Sequence, residues 1–144
     1  MEDFTNFVCY QLKATMKKVE RYIAQELNLH GVNLAQSFVL FSLLENDGST
    51  LSEIGLRAQI ENSSLTTMVD KLEKENLVKR QLYPQDRRVV RVILTDKGRE
   101  TANEILSAGK KFNDFLIENM SIEVGDFLRA LGEITNSVDS LQME

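Results

Sequence analysis

This chain of 144 residues lacks the marks of several large protein classes. One cysteine cannot form an internal disulfide, so the chain is not a disulfide-stapled secreted scaffold. His30 is the only histidine, and no His-Glu-x-x-His motif or cysteine pair offers a metal site. Among seven glycines there is neither a phosphate-cradling loop nor a dinucleotide fingerprint. Nucleophilic catalysis at Cys9 would need a neighbouring base, and the sequence identifies none. The expectation is a non-enzyme without metal or cofactor. No apolar stretch is long enough to cross a bilayer, and the first residues include Glu2 and Asp3 rather than a basic segment leading into an apolar one. A cytoplasmic protein with no membrane partner is expected. A basic excess is missing too: the formal net charge is -5, which at first sight argues against nucleic acid.

What is present is a packed-core composition, 42% hydrophobic and 27% charged, at a length that suits one domain. The most informative stretch is 51–98. Leu51, Ile54, Leu56 and Ala58 give a short apolar helical face, and Ile60 follows. Asn62 or Ser63 can cap a second helix, in which Leu65, Met68, Val69 and Leu72 repeat at i, i+3, i+4, i+7. The opposite side carries Ser63, Ser64, Thr66, Thr67, Asp70 and Lys71. Short hydroxyl side chains at a helix start can reach phosphates and base edges, although polar helix faces are commonly just solvated.

Residues 77–83 and 88–94 then alternate like strands, joined by turn chemistry at Pro84, Gln85 and Asp86. Val90, Val92 and Leu94 share one face, with Arg91 on the other. Arg87 and Arg88 fall near the hairpin tip, where an arginine serves no core and can enter a minor groove. Asp86 is close enough in sequence to orient one of them; by itself such an exposed pair contributes little stability. Two helices followed by a hairpin describe a winged helix-turn-helix, whose expected partner is double-stranded DNA. Across 71–91 seven lysines and arginines stand against three acids, so a basic patch sits on an acidic body.

The flanks read as helices. Val8, Leu12, Met16, Val19, Ile23 and Leu27 form an apolar stripe that Gly31 ends. Asn33 can cap a helix reaching about Glu45, with Phe38, Val39 and Leu43 among its buried residues, and Asn46, Asp47, Gly48 and Ser49 make a turn. Thr95 caps a long helix towards Met120, and Ser121 caps a last one in which Phe127, Leu131, Ile134, Val138 and Leu141 recur at helical spacing. These stripes could cover one another within a subunit; their number and length favour a bundle between two subunits. His30 reads as an ordinary residue near the end of the first helix.

The pattern Asp-x-Arg, three residues, Val-x-Leu-Thr-x-x-Gly is present as Asp86, Arg88, Val92, Leu94, Thr95 and Gly98. Upstream, Leu51, Glu53, Ile54, Ser63, Val69, Asp70, Leu72, Glu73 and Leu77 stand at matching places without gaps. On these residues the chain resembles the MarR family of winged-helix transcriptional regulators. The resemblance implies a mainly α fold with a small β-hairpin in a single domain. Residues of about 33–98 would form the winged helix-turn-helix, and about 4–29 and 99–142 the dimerisation helices. It also implies a homodimer on an imperfect palindrome, with DNA contacts from Asn62, Ser63, Ser64, Thr66, Thr67, Lys71, Arg87 and Arg88. Two positions depart from the family: Thr67 where arginine is frequent, and Gln59 where the turn often has glycine.

The resemblance further implies a repressor released by a small organic effector; family members often bind small aromatic molecules, and Tyr10, Tyr22, Phe38 and Phe41 could line a pocket for one. Aromatic residues at helical spacing are also ordinary core. Cys9 stands where the organic-hydroperoxide-responsive subgroup of the family carries its sensing cysteine, but that subgroup has a tyrosine four residues on and this chain has Lys13. A thiol-based oxidant sensor is therefore an alternative to the ligand reading, and a buried interface cysteine the plainer one. A winged-helix interaction module without DNA affinity is the other alternative, favoured only by Thr67.

Overall fold

A computed structural model describes residues 2–143, with the backbone alone at Arg87. A single 3-10 turn, Phe4–Asn6, leads into α1 (Val8–Asn28). Then follow α2 (Leu34–Glu45), β1 (Ser49–Thr50), α3 (Leu51–Ala58), α4 (Asn62–Lys74), β2 (Val78–Tyr83), β3 (Asp86–Leu94), α5 (Asp96–Glu118) and α6 (Val124–Gln142). The fold is mainly helical with one small antiparallel sheet, in the order β1-β3-β2. The chain divides into two compact units, residues 1–108 and 109–144.

Local chemistry explains most boundaries. Asn33 caps α2 through a reciprocal box: its side chain accepts from Gln36 N–H at 2.9 Å, and the Gln36 side chain accepts from Asn33 N–H at 2.9 Å. Thr50 and Glu53 repeat the device at the start of α3. Gly31, at φ +72°, turns the chain after α1. Asn76 takes the left-handed conformation after α4, a position that asparagine tolerates well.

Four expectations are corrected. The cap of α4 is Glu61, extended at φ -68° and ψ 146°, so Asn62 and Ser63 already lie in the first helical turn and cannot cap it. Glu123 likewise precedes α6, and Ser121 falls outside the helix. Phe38 is 42% exposed because α2 turns Val39, Leu40 and Leu43 into the core and leaves Phe38 on its outer side. Leu56 is 79% exposed: α3 has only eight residues and packs through Ile54 and Gly55. A further element, β1, has no signature in the sequence; its two residues pair Ser49 with Val92 and Thr50 with Arg91.

The core of residues 1–108 joins α2 (Val39, Leu40, Leu43), α3 (Ile54), α4 (Leu65, Val69, Leu72), the wing root (Leu77, Val78, Val92, Leu94) and α5 (Ala102, Ile105). Along α1, Leu27 is buried, Val19 and Ile23 half-buried, and Val8, Leu12 and Met16 exposed. The unit of residues 109–144 contains the end of α5 and all of α6. No residue of α6 is buried, and Phe127, Leu128, Val138 and Leu141 are exposed.

The wing is closed at its root. Thr95 N–H donates to the Leu77 carbonyl at 3.1 Å. Its hydroxyl donates to the Asn76 carbonyl at 2.6 Å and accepts from Gly98 N–H at 2.9 Å, which is the expected cap of α5. Asp47 accepts from Leu94 N–H at 2.9 Å and pairs with Arg99 at 2.7 Å. This junction explains Gly98: a Cβ there would run into the Leu77 carbonyl and stand 2.7 Å from its carbon. Neither backbone can retreat without breaking the bonds just named. Gly98→Ala is therefore expected to lower stability by about 2–3 kcal/mol, by overpacking against main chain rather than against a yielding side chain. Equilibrium denaturation in urea checks it; a change under ~0.5 kcal/mol would mean that the junction is loose.

Candidate nucleic-acid interface

α3 and α4 meet through a tight turn. Gln59 sits at φ 59°, the left-handed conformation, and Ile60 N–H donates back to the Gly55 carbonyl at 3.0 Å. A Cβ at Gly55 would lie 2.8 Å from the Ile60 carbonyl oxygen, so the close return of the chain requires glycine at 55. Gln59 accepts the conformation that glycine adopts freely, at a cost on the order of 1 kcal/mol. The turn leads directly into α4, whose first residues Asn62, Ser63 and Ser64 are exposed.

Leu65, Val69 and Leu72 bury one side of α4. Asn62, Ser63, Ser64, Thr66, Thr67 and Lys71 are exposed. Thr66 turns its hydroxyl back onto the Asn62 carbonyl at 3.0 Å. Ser63, Ser64, Thr67, Met68 and Lys71 line one wall of a shallow concavity of about 370 Å³, with Asn33 and Gln36 opposite. A polar, open helix start with hydroxyls, and a lysine further along the same helix in its last turn, is suited to phosphates and base edges.

The wing is antiparallel, with Val78 opposite Leu94, Arg80 opposite Val92 and Leu82 opposite Val90. Pairing becomes irregular between Leu82 and Tyr83, next to the turn. Arg88 is 91% exposed at this end. Asp86 orients it: the carboxylate accepts from Arg88 N–H at 3.0 Å, from Nε at 3.1 Å and from Nη2 at 3.3 Å. The side chain of Arg87 lies outside the described residues.

The other arginines of the basic patch are engaged within the protein. Arg91 donates to the Gly48 carbonyl at 2.9 Å and lies 4.7 Å from the centre of the Tyr83 ring. Arg80 turns towards α4 and pairs with Asp70 and Glu73. Strand alternation could have placed Arg80 on the inward face beside Val78; a plain count of charges could not.

Of the four aromatic residues, two are neighbours on α2. Phe38 and Phe41 stand with ring centres 6.4 Å apart and line a concavity of about 350 Å³ with Ser42, Glu45, Arg57, Ala58 and Gln59. Arg57 and Glu45 close one side of it as a bidentate pair at 2.8 and 2.9 Å. Tyr10 packs edge-to-face on Phe4 at 5.5 Å, and Tyr22 lies on the exposed side of α1. Cys9, on the first turn of α1, is exposed within the single subunit. His30 lies 3.5 Å from Glu104. Among the described residues no cluster of His, Cys, Asp or Glu could hold a metal ion, and no helix is long and apolar enough to cross a membrane.

A helix pair joined by a tight turn, with a β-hairpin rooted beside it, defines a winged helix-turn-helix. Residues 32–90 match the MarR family. The chain is 30% identical over 137 residues to the HTH-type transcriptional repressor MdtR of Bacillus subtilis (strain 168), covering 92% of this chain and 88% of that one. The fold matches BpsR of Bordetella bronchiseptica, whose structure describes regulation of DNA binding by 6-hydroxynicotinic acid. The TM-score is 0.84 at 19% identity, over 94% of this chain and 97% of that one. It also matches reduced AbfR bound to DNA, with a TM-score of 0.79 at 22% identity over 96% and 94% of the two chains. The chain belongs to the MarR family of winged helix-turn-helix transcriptional regulators, a class of DNA-binding protein and not of enzyme.

The arrangement at the wing tip has a pH signature. The hydrogen bonds from the Arg88 side chain, and then from its backbone N–H, hold the Asp86 carboxyl below the ordinary carboxylate pKa. A lowered folded-state pKa means that the pair is intact above the ordinary value and is lost as pH falls through the lowered one. In Arg88→Ala the Asp86 carboxyl should titrate at a higher pH than in the native protein. A side-chain carboxyl titration by NMR measures this; unchanged titration would dissolve the pair in solution.

Proposed function

We propose that this chain is a homodimeric repressor that binds an imperfect palindrome in duplex DNA and is released by a small organic effector. The observation that carries the reading is the pairing of an open, hydroxyl-rich start of α4 with an almost fully exposed Arg88 at the wing tip. α4 would enter the major groove through Asn62, Ser63, Ser64, Thr66, Thr67 and Lys71, while Arg87 and Arg88 would follow the neighbouring backbone or minor groove. About 33–98 would be the DNA-reading part, and about 4–29 and 99–142 the dimerisation helices. The exposed apolar residues of α1 and of α6 support that division, because a second copy would remove them from water. The repressor name of MdtR and the ligand-regulated DNA binding of BpsR agree with the reading.

Selection from a pool of random duplexes tests DNA binding and delivers the operator sequence in the same experiment. The expected product is an imperfect palindrome with half-sites about one helical turn apart. On that duplex, Arg88→Ala should weaken binding by roughly 1–3 kcal/mol while leaving the order of sequence preference unchanged, since a tip arginine reads charge and groove shape. Unchanged affinity in a folded variant would remove the wing from the mechanism. Sedimentation at low micromolar concentration should give a dimer; a species at the 16.4 kDa monomer mass alone would sink the dimer.

On a second reading, oxidation of the thiolate of Cys9, in the first turn of α1, would release DNA. The effector reading expects native protein and Cys9→Ser to respond alike to an organic hydroperoxide. Release of the native protein alone would identify Cys9 as the sensor. On the effector reading, the Phe38–Phe41 concavity is the place where an aromatic ligand would be sought first.

A further inference from the structure

By charge alone Arg80 belongs with Lys79, Arg88 and the other basic groups of the wing, and would be read as a phosphate contact. The geometry points elsewhere: we propose that Arg80 is an internal counter-charge that holds the carboxylates of Asp70 and Glu73 away from DNA. It is thus a positioning residue of the recognition surface and does not touch the nucleic acid. The inference rests on the reading of α4 as the DNA-contacting helix.

Arg80 shares the inward face of β2 with Val78, opposite Val92, and its side chain is only 26% exposed. Nη2 lies 2.7 Å from Asp70 Oδ1 and 3.3 Å from the Thr66 carbonyl oxygen, while Nη1 lies 3.0 Å from Glu73 Oε1. The Arg80 backbone N–H also donates to Glu73 Oε2 at 3.0 Å. The fork of the guanidinium is therefore engaged by three acceptors on α4. A phosphate could reach it only by displacing carboxylates that already pair with it, one of which, Glu73, is also hydrogen-bonded to it.

The carboxylates are the reason for the arrangement. Asp70 and Glu73 are three residues apart on the helix that also presents Ser63, Ser64, Thr67 and Lys71, and their side chains are about half exposed. Left without a counter-charge, they would meet the phosphates of a bound duplex as like charges, which costs affinity. Only a planar fork reaches two carboxylates and a carbonyl together; a lysine offers one point charge.

The test is a double-mutant cycle on the selected duplex, using the full-length native protein, Arg80→Ala, Asp70→Asn/Glu73→Gln and the combination of all three. Circular dichroism confirms that each is folded at the assay temperature, and Arg80→Gln replaces Arg80→Ala if the latter is not. At ~0.05 M salt, Arg80→Ala is expected to weaken binding at least ~10-fold beside the native carboxylates but less than ~3-fold beside the neutral pair. The native-background loss should shrink at ~0.3 M salt, because repulsion between exposed charges is screened. An equal or larger loss in the neutral background would make Arg80 a phosphate contact and overturn the proposal. A loss that ignores salt would reduce Arg80 to a mechanical brace, and no loss at all would remove its role. Native protein that selects no duplex would instead overturn the DNA-binding reading on which the proposal rests.

Discussion

The recognition surface depends on the backbone junction between the end of α4 and the start of α5. The Leu77 carbonyl, the Thr95 main chain and hydroxyl, and Gly98 N–H form one closed set of hydrogen bonds. It brings the two roots of the wing together and ties them to the recognition helix. Asp47 adds a second fastening from the turn after α2. The Thr-x-x-Gly part of the family signature is thereby explained physically. Threonine supplies a side chain that both donates and accepts, and glycine three residues later is the only residue that fits against a carbonyl already in use.

From that junction outward the chain spends its charges in two different ways. Arg80 and Arg91 are turned inward and fasten the wing, one to α4 and the other to the turn that carries Gly48. Arg88, paired with Asp86, and Lys71 are exposed. A basic patch read from sequence is thus a mixture of fasteners and exposed cations, and in the wing the side of the strand on which each residue falls separates them. In a chain with a net charge of -5, the exposed cations of this patch among the described residues are Arg88 near the wing tip, Lys79 on β2, and Lys71 and Lys74 in the last turn of α4.

Helical periodicity and cap chemistry were strong enough to be read directly. Leu65, Val69 and Leu72 at i, i+4, i+7, Asn33 before α2 and Thr95 before α5 each fall where local physics puts them. The wing was legible because alternation and a proline turn act within a few residues. The failures have a common cause, in that a distant neighbour decided. Phe38 and Leu56 are apolar residues left outside because their short helices had already committed other faces to the core. β1 has two residues, too few to alternate, and exists because β3 offers it an edge. Arg80 looked like a surface cation because its partners, Glu73 and Asp70, lie upstream on another element. Glu61 took the cap of α4 because the tight turn at Gln59 ends one residue earlier than the run of Asn and Ser suggests.

The clamped root has a mechanical consequence. β3 has nine residues, so the tip lies roughly 25 Å from the fastening at Leu94. A tilt of about 5° at the root would carry the tip through about 2 Å. The wing is in that sense a lever whose fulcrum is a handful of backbone hydrogen bonds. Changes at Asp47, Thr95 or Gly98 would be magnified along its length into displacements of the tip.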